Sequence, residues 1–398
     1  GYIMLVFRKG EFFCGPGGLA LAAKDSSFID KDGKKYIVRH QWANDIDYSA
    51  CKTFAHNICE IESTLVDEYI CINEDEININ NNKSVLCKDV REVDVTKLPP
   101  IDAFTFGFPC NDFSNIGEKK GFQGKYGPLY TYGVKVLNYH NPKWFLAENV
   151  GGLQSANDGE AFKTIIKELS EAGSYGGYEL TPHLYKFEQY GVPQMRHRII
   201  IVGIRKDLAE NEGVKFRVPA PTTPNIEDYK TSKWALEYGF DKVKLTATGE
   251  FYNNELTKHP KSIVDRLNHI PPGENAWYEG IPEELRLKVK GAKLSNIYKR
   301  LDPRRPAYTV TGSGGGGTHM YHYSEPRALT NRERARLQSF PDKYEFLGNK
   351  EDIRKQIGMA VPPVGAKIII ESILKSFAKE EYEYIEPKWN IEDLRDVE

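Results

Sequence analysis

The amino-acid sequence predicts an α/β fold followed by a second, smaller and irregular domain. In the first 205 residues, short apolar stretches alternate with amphipathic ones, which is typical of a sheet with helices on both faces. After Arg205 the sequence becomes rich in Pro, Asn, Lys and Tyr and shows only weak periodicity. With 398 residues, of which 40% are apolar and 28% charged, the chain is long enough for a sizeable core and for two domains.

Five stretches of the first 205 residues are predicted to be β-strands because they are short, apolar and separated by amphipathic or turn segments. Residues 161–173 place four apolar side chains at helical spacing and end at Gly173, which predicts an amphipathic helix with a glycine stop. Residues 367–377 predict another helix, one that packs back on the first domain. The predicted strands are 36–45, 101–108, 143–149, 178–187 and 198–204.

Charged residues are unevenly distributed, although the formal net charge is only −2. Residues 286–305 hold eight basic side chains against one acid, and residues 327–336 hold four arginines against one glutamate. These two basic clusters flank a glycine-rich segment at 313–317, whereas residues 380–398 are acidic. Basic clusters of this kind indicate a polyanion as partner.

The six cysteines show no C-x-x-C pairing, and none lies beyond residue 110. This pattern predicts neither a zinc site nor a disulfide framework, so we expect reduced thiols, no metal and a cytoplasmic location. We also expect no membrane partner, because no apolar run reaches the length of a span and the N-terminus lacks a signal-peptide pattern.

The stretch FFCGPGGLALAA near the start places Gly15, Gly17 and Gly18 between the end of a strand and a helix of small residues. Glycines at such a turn let the backbone approach a ligand at the start of a helix. Asp45 ends the next strand, where an acid that binds ribose hydroxyls is expected, and Asp89 follows a third strand. The glycine turn and the two acids together predict a nucleoside pocket.

Cys110 comes directly after the apolar run of the predicted strand 101–108, next to a proline. A thiol at the carboxyl end of a strand, in the crevice where such sheets bind ligands, is positioned for nucleophilic catalysis. Further polar side chains stand at strand ends or at alternate positions of an extended segment, where they would face one side: Glu148, Asn149, Gln194, Arg196 and Arg198.

These segments together resemble the cytosine-C5 DNA methyltransferase family in residue type, order and spacing. The resemblance covers about residues 12–206 and 300–370, and its combination of motifs is highly specific. The stretch between, about 207–299, matches no motif, as expected for the variable target-recognition domain of this family. The matching motifs are Phe13-Cys14-Gly15-Pro16-Gly17-Gly18, Phe108-Pro109-Cys110, Glu148-Asn149-Val150, Gln194-x-Arg196-x-Arg198, the segment 329–346 around Arg332-Glu333, and the segment 356–369.

The resemblance implies a Rossmann-like, doubly wound methyltransferase domain with a second, smaller, irregular target-recognition domain. Residues 1–206 would form the catalytic domain, residues 207–350 the target-recognition domain and hinge, and residues 351–398 a C-terminal segment that returns to the catalytic domain. S-adenosylmethionine would be the cofactor and double-stranded DNA the substrate. The implied enzyme is a monomer, and a restriction endonuclease acting on the same site would be a further partner.

The resemblance also implies roles for individual residues. The implied catalytic residues are Cys110, Glu148, Arg196 and Arg198. The implied cofactor-binding residues are Phe13, Gly15, Gly17, Gly18, Asp45, Ile46, Asp89, Val90, Pro109, Leu129 and Ala360. The implied DNA-binding residues are Ser114, Asn149, Gln194, Arg300, Arg304, Thr309, Ser313 and Gly314.

The implied chemistry explains these residue types. Cytosine C5 is too weak a nucleophile to take a methyl group unaided, so the Cys110 thiolate would first attack C6 while Glu148 contacts N3 and the exocyclic amine. Arg196 would stabilise the electron-rich ring and help keep Cys110 ionised. Loss of the C5 proton and expulsion of the thiolate then give 5-methylcytosine. Because C5 is unreachable inside a duplex, the base must be flipped out, and the polar loop 111–127 would close over it.

Two departures from the family pattern carry expectations of their own. Met359 stands in the last motif where the family usually has an asparagine, so an amide near the cofactor or the base would be missing. The charged stretch RKGE, residues 8–11, interrupts the strand that leads into the glycine turn, and we expect that strand to be short or displaced. We expect DNA specificity after Arg205, concentrated at residues 300–322.

Other protein classes fit the sequence less well. The tRNA-modifying branch that shares these motifs carries a Cys-Phe-Thr triplet, and the unrelated RNA cytosine methyltransferases use a second, later cysteine, whereas no cysteine follows Cys110. A catalytically silent DNA-binding regulator would not need Cys110, Glu148 and Arg196. An oxidoreductase with a glycine turn would leave the nucleophile unexplained.

Overall fold

The computed structural model describes residues 3–108, 128–150, 159–247, 250–289 and 291–395. The chain divides into two compact units. The first unit comprises residues 1–186, 197–220 and 366–398, and the second unit comprises residues 187–196 and 221–365. The chain therefore leaves the first unit twice and returns to it with its C-terminal segment.

The first unit contains one large sheet and a small two-stranded sheet. The strands of the large sheet are β1 (Met4–Phe12), β2 (Ser27–Ile29), β3 (Lys35–Asp45), β4 (Ile70–Cys71), β5 (Val85–Cys87), β6 (Ala103–Gly107), β7 (Trp144–Val150), β8 (Tyr178–Lys186) and β9 (His197–Arg205). The small sheet pairs β10 (Val218–Pro219) with β11 (Tyr384–Ile385). The α-helices in the described residues are α1 (Gly18–Lys24), α2 (Tyr48–Asn57), α3 (Tyr130–His140), α4 (Glu160–Glu171), α5 (Lys206–Asn211), α6 (Ser232–Glu237), α7 (Lys261–Asn268), α8 (Asn331–Leu337), α9 (Lys350–Met359), α10 (Pro363–Ala378) and α11 (Ile391–Arg395).

The strand order of the large sheet is β4-β5-β3-β1-β6-β7-β9-β8, with β2 antiparallel on β3. The strands from β4 to β7 in this order run parallel, whereas β9 pairs antiparallel with both β7 and β8. The order reverses direction between β1 and β6, and ligands of doubly wound sheets bind outside the carboxyl ends of the strands at such a switch point. The predicted Rossmann-like α/β fold is confirmed.

All five predicted strands are present and end within two residues of their predicted bounds. The two predicted helices correspond to α4 and α10. In α4 the four apolar side chains at helical spacing are buried, which is the reason that this segment is helical against the sheet. Gly173 beyond its end has a φ of 79°, a left-handed conformation that glycine adopts without strain.

Buried aromatic rings from the central strands fix the sheet. Phe12, Trp42, Phe104 and Phe106 belong to one core cluster, and the rings of Phe104 and Phe106 stack with their centroids 5.0 Å apart. A Cβ on Gly10 would lie only 2.4 Å from the Trp42 ring, so glycine makes room for the indole. Each buried Phe contributes about 1.5–3 kcal/mol relative to exposure, and the strand ends that carry polar residues rest on this core.

The expectation for β1 is wrong, because this strand spans nine residues in the middle of the sheet and pairs with both β3 and β6. Its buried charges compensate each other: Lys9 Nζ lies 2.5 Å from Glu11 Oε1 and 3.3 Å from Thr105 Oγ1. Both charged side chains are only 1% exposed. The pairing register with β3 shifts after Lys9, but the strand is not shortened.

The second unit has irregular secondary structure, as the sequence predicts for the residues after Arg205. Over the described residues its β pairing is limited to isolated bridges, such as that between Arg300 and Tyr321. A local apolar cluster around Leu267, Ile270 and Tyr321 holds loops and the short α7 together. Helix α8 is buried along its whole length and begins at a capping box.

One apolar stretch, Lys350–Ala378, is long and apolar enough to cross a membrane. Its most apolar part is 72% buried inside the protein, and the chain divides it into α9 and α10. It is therefore weak evidence and indicates no membrane.

Candidate active site

The glycine turn joins β1 to α1 at the carboxyl edge of the sheet. Phe13, Gly15 and Gly17 have positive φ angles of 57°, 54° and 107°, a backbone region that favours glycine. The backbone N–H of Gly15 donates to Asp45 Oδ2 at 2.8 Å. Among the described residues, no atom lies within 4 Å of a Cβ placed on Gly15, so on this side of the turn they leave open space for a ligand.

Asp45 ends β3 beside the turn and is 7% exposed. Its carboxylate accepts hydrogen bonds from the backbone N–H groups of Gly15 and Asp47. Burial raises the pKa of Asp45, and these two donors oppose the rise. The next residue, Ile46, is 67% exposed. An anchored carboxylate beside an exposed apolar side chain can contact both the hydroxyls and the flat ring of a nucleoside.

Asp89 lies just beyond β5, whose Cys87 is the register partner of Asp45. The Asp89 carboxylate accepts from the Arg91 backbone N–H at 3.0 Å and pairs with the Arg91 guanidinium at 2.7 Å. The side-chain contact with Arg91 lowers the pKa of Asp89, whereas the neighbouring Val90 is buried. The two strand-end acids predicted from the sequence therefore share one edge of the sheet.

The ends of β6 and β7 hold a second group of predicted residues. Gly107 and Glu148 are register partners, and a Cβ on Gly107 would lie 2.7 Å from Glu148 Oε2. The Phe108 N–H donates to the Glu148 carbonyl at 3.2 Å, and Asn149 Nδ2 donates to the Phe108 carbonyl at 2.6 Å. Arg198 on β9 pairs with Glu148, with Nε 3.5 Å from Oε1. Glu148 is thus held directly beside the backbone that leads towards Pro109 and Cys110.

Three predicted positions, Pro109, Cys110 and Ser114, lie outside the described residues, as does the predicted polar loop. Of the remaining cofactor positions, Gly18 is the first residue of α1 and Leu129 precedes α3.

The Q-x-R-x-R segment divides between the two units. Gln194 and Arg196 belong to the second unit, whereas Arg198 belongs to the first. Arg196 is 3% exposed and donates to the carbonyls of Val310 at 2.8 Å and Gly358 at 2.7 Å. Gln194 is fully buried, and its Oε1 accepts from the Val310 N–H and from Arg196. Arg196 is therefore fixed by main-chain carbonyls of the second unit.

The last motif, residues 356–369, supplies one of the carbonyls that hold Arg196, that of Gly358. Gly358 in α9 packs on Gly312 so closely that a Cβ on Gly358 would lie 1.9 Å from the Gly312 nitrogen. Met359, which stands where the family usually has asparagine, is exposed, whereas Ala360 is buried at the end of α9.

The predicted DNA contacts differ in exposure. Arg300 is 5% exposed and donates to four carbonyls, including those of His322 and Leu267, each at 2.7 Å. Arg304, only four residues further, has an 86% exposed side chain that pairs with Asp302. Asn149, Gln194 and Arg300 are buried and hydrogen-bonded inside the protein, so they do not belong to an exposed DNA-binding surface.

Within the glycine-rich segment, Gly314 has a φ of 127°, and its carbonyl accepts from Arg354 at 2.6 Å. Thr309 donates its hydroxyl hydrogen to the Met195 carbonyl at 2.8 Å, and Ser313 is exposed. The main chain of this segment is thus shaped by contacts from within the second unit.

Sequence reasoning missed two residues that support the site. Gly107 leaves the space that Glu148 occupies, and a glycine inside a strand is a signal of such close approach. Gln338 is fully buried, accepts from Gln194 Nε2 at 2.7 Å and donates to the Ile357 carbonyl. Nothing in the local sequence around Gln338 distinguishes it from a surface glutamine.

The first unit has the layout of a Rossmann-like methyltransferase, with the nucleoside-type acids on one side of the switch point and Glu148 on the other. The chain belongs to the C-5 cytosine-specific DNA methylase family, whose sequence model matches residues 7–375. The enzyme class is therefore that of DNA (cytosine-5-)-methyltransferases, a family that uses S-adenosylmethionine. The predicted family and reaction are confirmed.

Several curated proteins are similar over most of their length. Type II methyltransferase M.BbvI of Brevibacillus brevis is 57% identical over 98% of this chain and 96% of that protein. Type II methyltransferase M.NgoFVII of Neisseria gonorrhoeae is 38% identical over 87% of this chain and 83% of that protein. DNA (cytosine-5-)-methyltransferase M.ApeKI of Aeropyrum pernix is 30% identical over 91% and 97%.

Solved structures share the fold. A prophage-encoded protein of E. coli matches with a TM-score of 0.61 at 23% identity, over 94% of this chain and 99% of that chain. The S. pombe Dnmt2 methyltransferase matches with a TM-score of 0.54 at 14% identity, over 94% and 99%. At these identities the similarity concerns the fold alone.

Proposed function

We propose that this chain transfers the methyl group of S-adenosylmethionine to C5 of a cytosine flipped out of double-stranded DNA, with Cys110 as nucleophile. The supporting observation is the junction of β6 and β7, where Glu148 and Asn149 contact Gly107 and Phe108. Cys110 follows Phe108 by two residues. A base that reaches the Glu148 carboxyl would therefore also be within reach of the thiol.

The residues at the ends of β1, β3 and β5 fit the cofactor. The open side of Gly15 leaves room for its amino-acid part, and Asp45 has lone pairs left for the ribose hydroxyls after accepting two backbone N–H groups. The exposed Ile46 would lie on the adenine ring, with Asp89 near its amino group. When bound, S-adenosylmethionine supplies an electrophilic sulfonium methyl group.

At the reacting base, Glu148 in its protonated form would donate its proton to N3 with one oxygen and accept a hydrogen bond from the exocyclic N–H group with the other, which offsets the negative charge that develops when the thiolate adds to C6. Arg198, at 3.5 Å, orients the Glu148 carboxylate. Asn149 ties the Phe108 carbonyl and so positions the start of the nucleophile segment. Arg196 is buried and its guanidinium donates to the carbonyls of Val310 and Gly358, so we propose no contact between Arg196 and the ring.

The second unit would read DNA. Arg304 is exposed and would contact a phosphate, whereas the glycine-rich segment at 313–317 would let main chain approach base edges in a groove. We assign catalysis and cofactor binding to residues 1–206, target recognition and the hinge to 207–350, and a returning segment to 351–398.

The name Type II methyltransferase of the similar proteins supports a restriction-modification context. We propose that the enzyme acts as a cytoplasmic monomer on chromosomal DNA and protects the site of a partner endonuclease.

Bisulfite sequencing of plasmid DNA from cells that express the chain tests the proposed reaction and reveals its sequence context. We expect protected cytosines at one recurrent site with the wild-type enzyme. The Cys110→Ser variant, which keeps the size of the side chain but loses the thiolate, should protect none. Unprotected DNA with soluble wild-type enzyme, or protection that survives in the variant, would contradict the proposal.

A further inference from the structure

His319 follows the glycine-rich segment 313–317 and is held from inside the second unit. Its Nδ1 lies 3.3 Å from Nη2 of Arg334, a residue of α8 that is only 4% exposed. A guanidinium has N–H donors and no acceptor. Nδ1 must therefore accept this hydrogen bond through its lone pair, and the proton of the neutral imidazole must lie on Nε2.

The surroundings of His319 keep its ring neutral at physiological pH. Burial, followed by the charges of Arg334 and Arg354, lowers the pKa of His319 to about 4. His259 and Lys350 act in the same direction. Arg334 thus selects the tautomer that carries its proton on Nε2, and it also opposes a second proton on Nδ1.

The Nε2–H group of His319 is not used by the second unit itself. The two ring nitrogens point in different directions, so Nε2 faces away from Arg334. The side chain is partly exposed, and Nε2 donates to no acceptor among the described residues. His319 therefore presents one fixed hydrogen-bond donor to a ligand.

The main chain next to His319 presents donors as well. The carbonyls of Gly314, Gly316 and Gly317 each accept a hydrogen bond from another residue of the second unit, at 2.6, 2.7 and 2.7 Å. The N–H groups of these three glycines donate to none of the residues that the structure describes. The segment therefore offers donors rather than acceptors, and the imidazole adds to them.

We propose that His319 is a specificity-determining residue that donates its Nε2 hydrogen to N7 or O6 of a guanine in the recognised DNA site, while Arg334 holds the ring in this donor form. The major-groove edge of guanine offers two acceptors and no donor, whereas adenine and cytosine place an amino group there. A surface that offers only donors matches guanine. This inference rests on the proposed function, since it requires that the second unit reads DNA.

NMR spectroscopy tests the donor form without DNA. In the full-length protein labelled with ¹⁵N at histidine, the signals of His319 are those that disappear in the His319→Gln variant. At pH 7 we expect a protonated Nε2 and an unprotonated Nδ1. A proton on Nδ1, whether alone or together with one on Nε2, would overturn the proposal.

Methylation of a duplex library with randomised positions around a cytosine, read by bisulfite sequencing, tests the role in specificity. His319→Leu and His319→Ala remove the donor and should lower the preference for guanine at one position about tenfold, with the other positions unchanged. His319→Gln should retain most of the preference, because Arg334 can donate to its amide oxygen and leave the amide N–H group for the base. The matched control, His269→Leu, removes an exposed histidine of the same unit and should methylate like the wild type.

The outcomes distinguish this inference from the proposed function. Unchanged preference in a folded variant without the donor would overturn the inference and leave the reaction in place. Activity lost equally at all sequences, as expected for a phosphate contact, would do the same. Wild-type enzyme that methylates no cytosine would reject the proposed function and with it the contact to guanine, and the NMR signals would still report the tautomer.

Discussion

At Gly107 the absence of one carbon atom determines where Glu148 can lie. The carboxylate oxygen occupies the place that a Cβ would need, and Arg198 holds the carboxylate from another direction. A carboxyl group packed against main chain in this way has little freedom before the substrate arrives. Such preorganisation is how a site places a hydrogen-bonding group against a reacting ring.

We therefore predict that Gly107→Ala lowers kcat by about 10²-fold while the protein stays folded, because the added methyl group displaces the Glu148 carboxylate by about 1 Å. Glu148→Gln, which keeps the shape but removes the charge, is the matched comparison. Steady-state kinetics measures the change in kcat, and the thermal unfolding midpoint shows whether the protein stays folded. Unchanged kcat in a folded Gly107→Ala enzyme would show that the position of the carboxylate does not matter.

Asp45→Asn should weaken S-adenosylmethionine binding by about 1–3 kcal/mol, because a charged acceptor of ribose hydroxyls is replaced by an amide. Burial raises the pKa of Asp45, so the wild-type carboxylate takes up its proton at a higher pH than an ordinary aspartate. Affinity should consequently fall as the pH is lowered through that raised pKa, and the Asn variant should lose this dependence. Calorimetric titrations between pH 8 and pH 5 provide the check, and equal pH dependence of both proteins would reject the role of Asp45.

Individual site residues were predictable where the chemistry is local. Asp45 and Glu148 each lie near the carboxyl end of a recognisable strand, so their place at the carboxyl edge follows from sequence alone. The burial of Arg300 was not predictable, because its four carbonyl partners come from residues 22 to 33 positions away. A basic run in a sequence does not show which of its members point inwards.

At the scale of elements, β1 shows how a central strand tolerates charge. Lys9 and Glu11 are buried together, and Thr105 on β6 accepts a further hydrogen bond from the ammonium group. The sequence predicts an interrupted strand because a hydropathy scale scores each charged residue by itself. Lys9 and Glu11 are alternate residues of one strand, so their side chains lie on the same face and neutralise each other.

Lys9→Met should destabilise the protein by about 3–5 kcal/mol, because it leaves Glu11 buried without a counter-ion. Burial raises the pKa of Glu11, so protonation at lower pH relieves the penalty and the loss should be smaller at pH 5 than at pH 8. Urea unfolding at both pH values measures this. The double variant Lys9→Met with Glu11→Leu should regain most of the stability, and a double variant as unstable as the single one would contradict the account.

The arginines at 300 and 304 form a matched pair within one basic run. Arg304→Ala should weaken binding to all DNA sequences alike and reduce the slope of log affinity against log salt by about one, as expected for one lost phosphate contact. Arg300→Ala should instead lower the stability of the second unit by about 3 kcal/mol, because four buried carbonyls lose a charged donor. Fluorescence anisotropy at several salt concentrations and urea unfolding distinguish these outcomes, and an unaltered salt slope for Arg304→Ala would remove it from the DNA surface.

For the whole molecule, the sequence predicts the sheet of the first unit far better than the interior of the second. The five predicted strands are local, mostly apolar runs, so their order and type could be read along the chain, whereas β2 and β4 are too short to give such a signal. The second unit is held by side chains such as Arg332 and Gln338 that donate to carbonyls on distant loops. Such contacts leave no periodic signal, and only the family motifs indicate where the unit serves the active site.

The central claim is that Cys110 attacks the flipped cytosine beside Glu148. Incubation with S-adenosylmethionine and duplex DNA in which 5-fluorocytosine replaces the target base tests it most directly, because fluorine cannot leave as a proton and the adduct is trapped. We predict a covalent protein–DNA complex that depends on the cofactor and maps by mass spectrometry to Cys110. The Cys110→Ser variant should bind the same DNA but form no complex. An adduct that maps to another residue, or that persists in the serine variant, would contradict the claim.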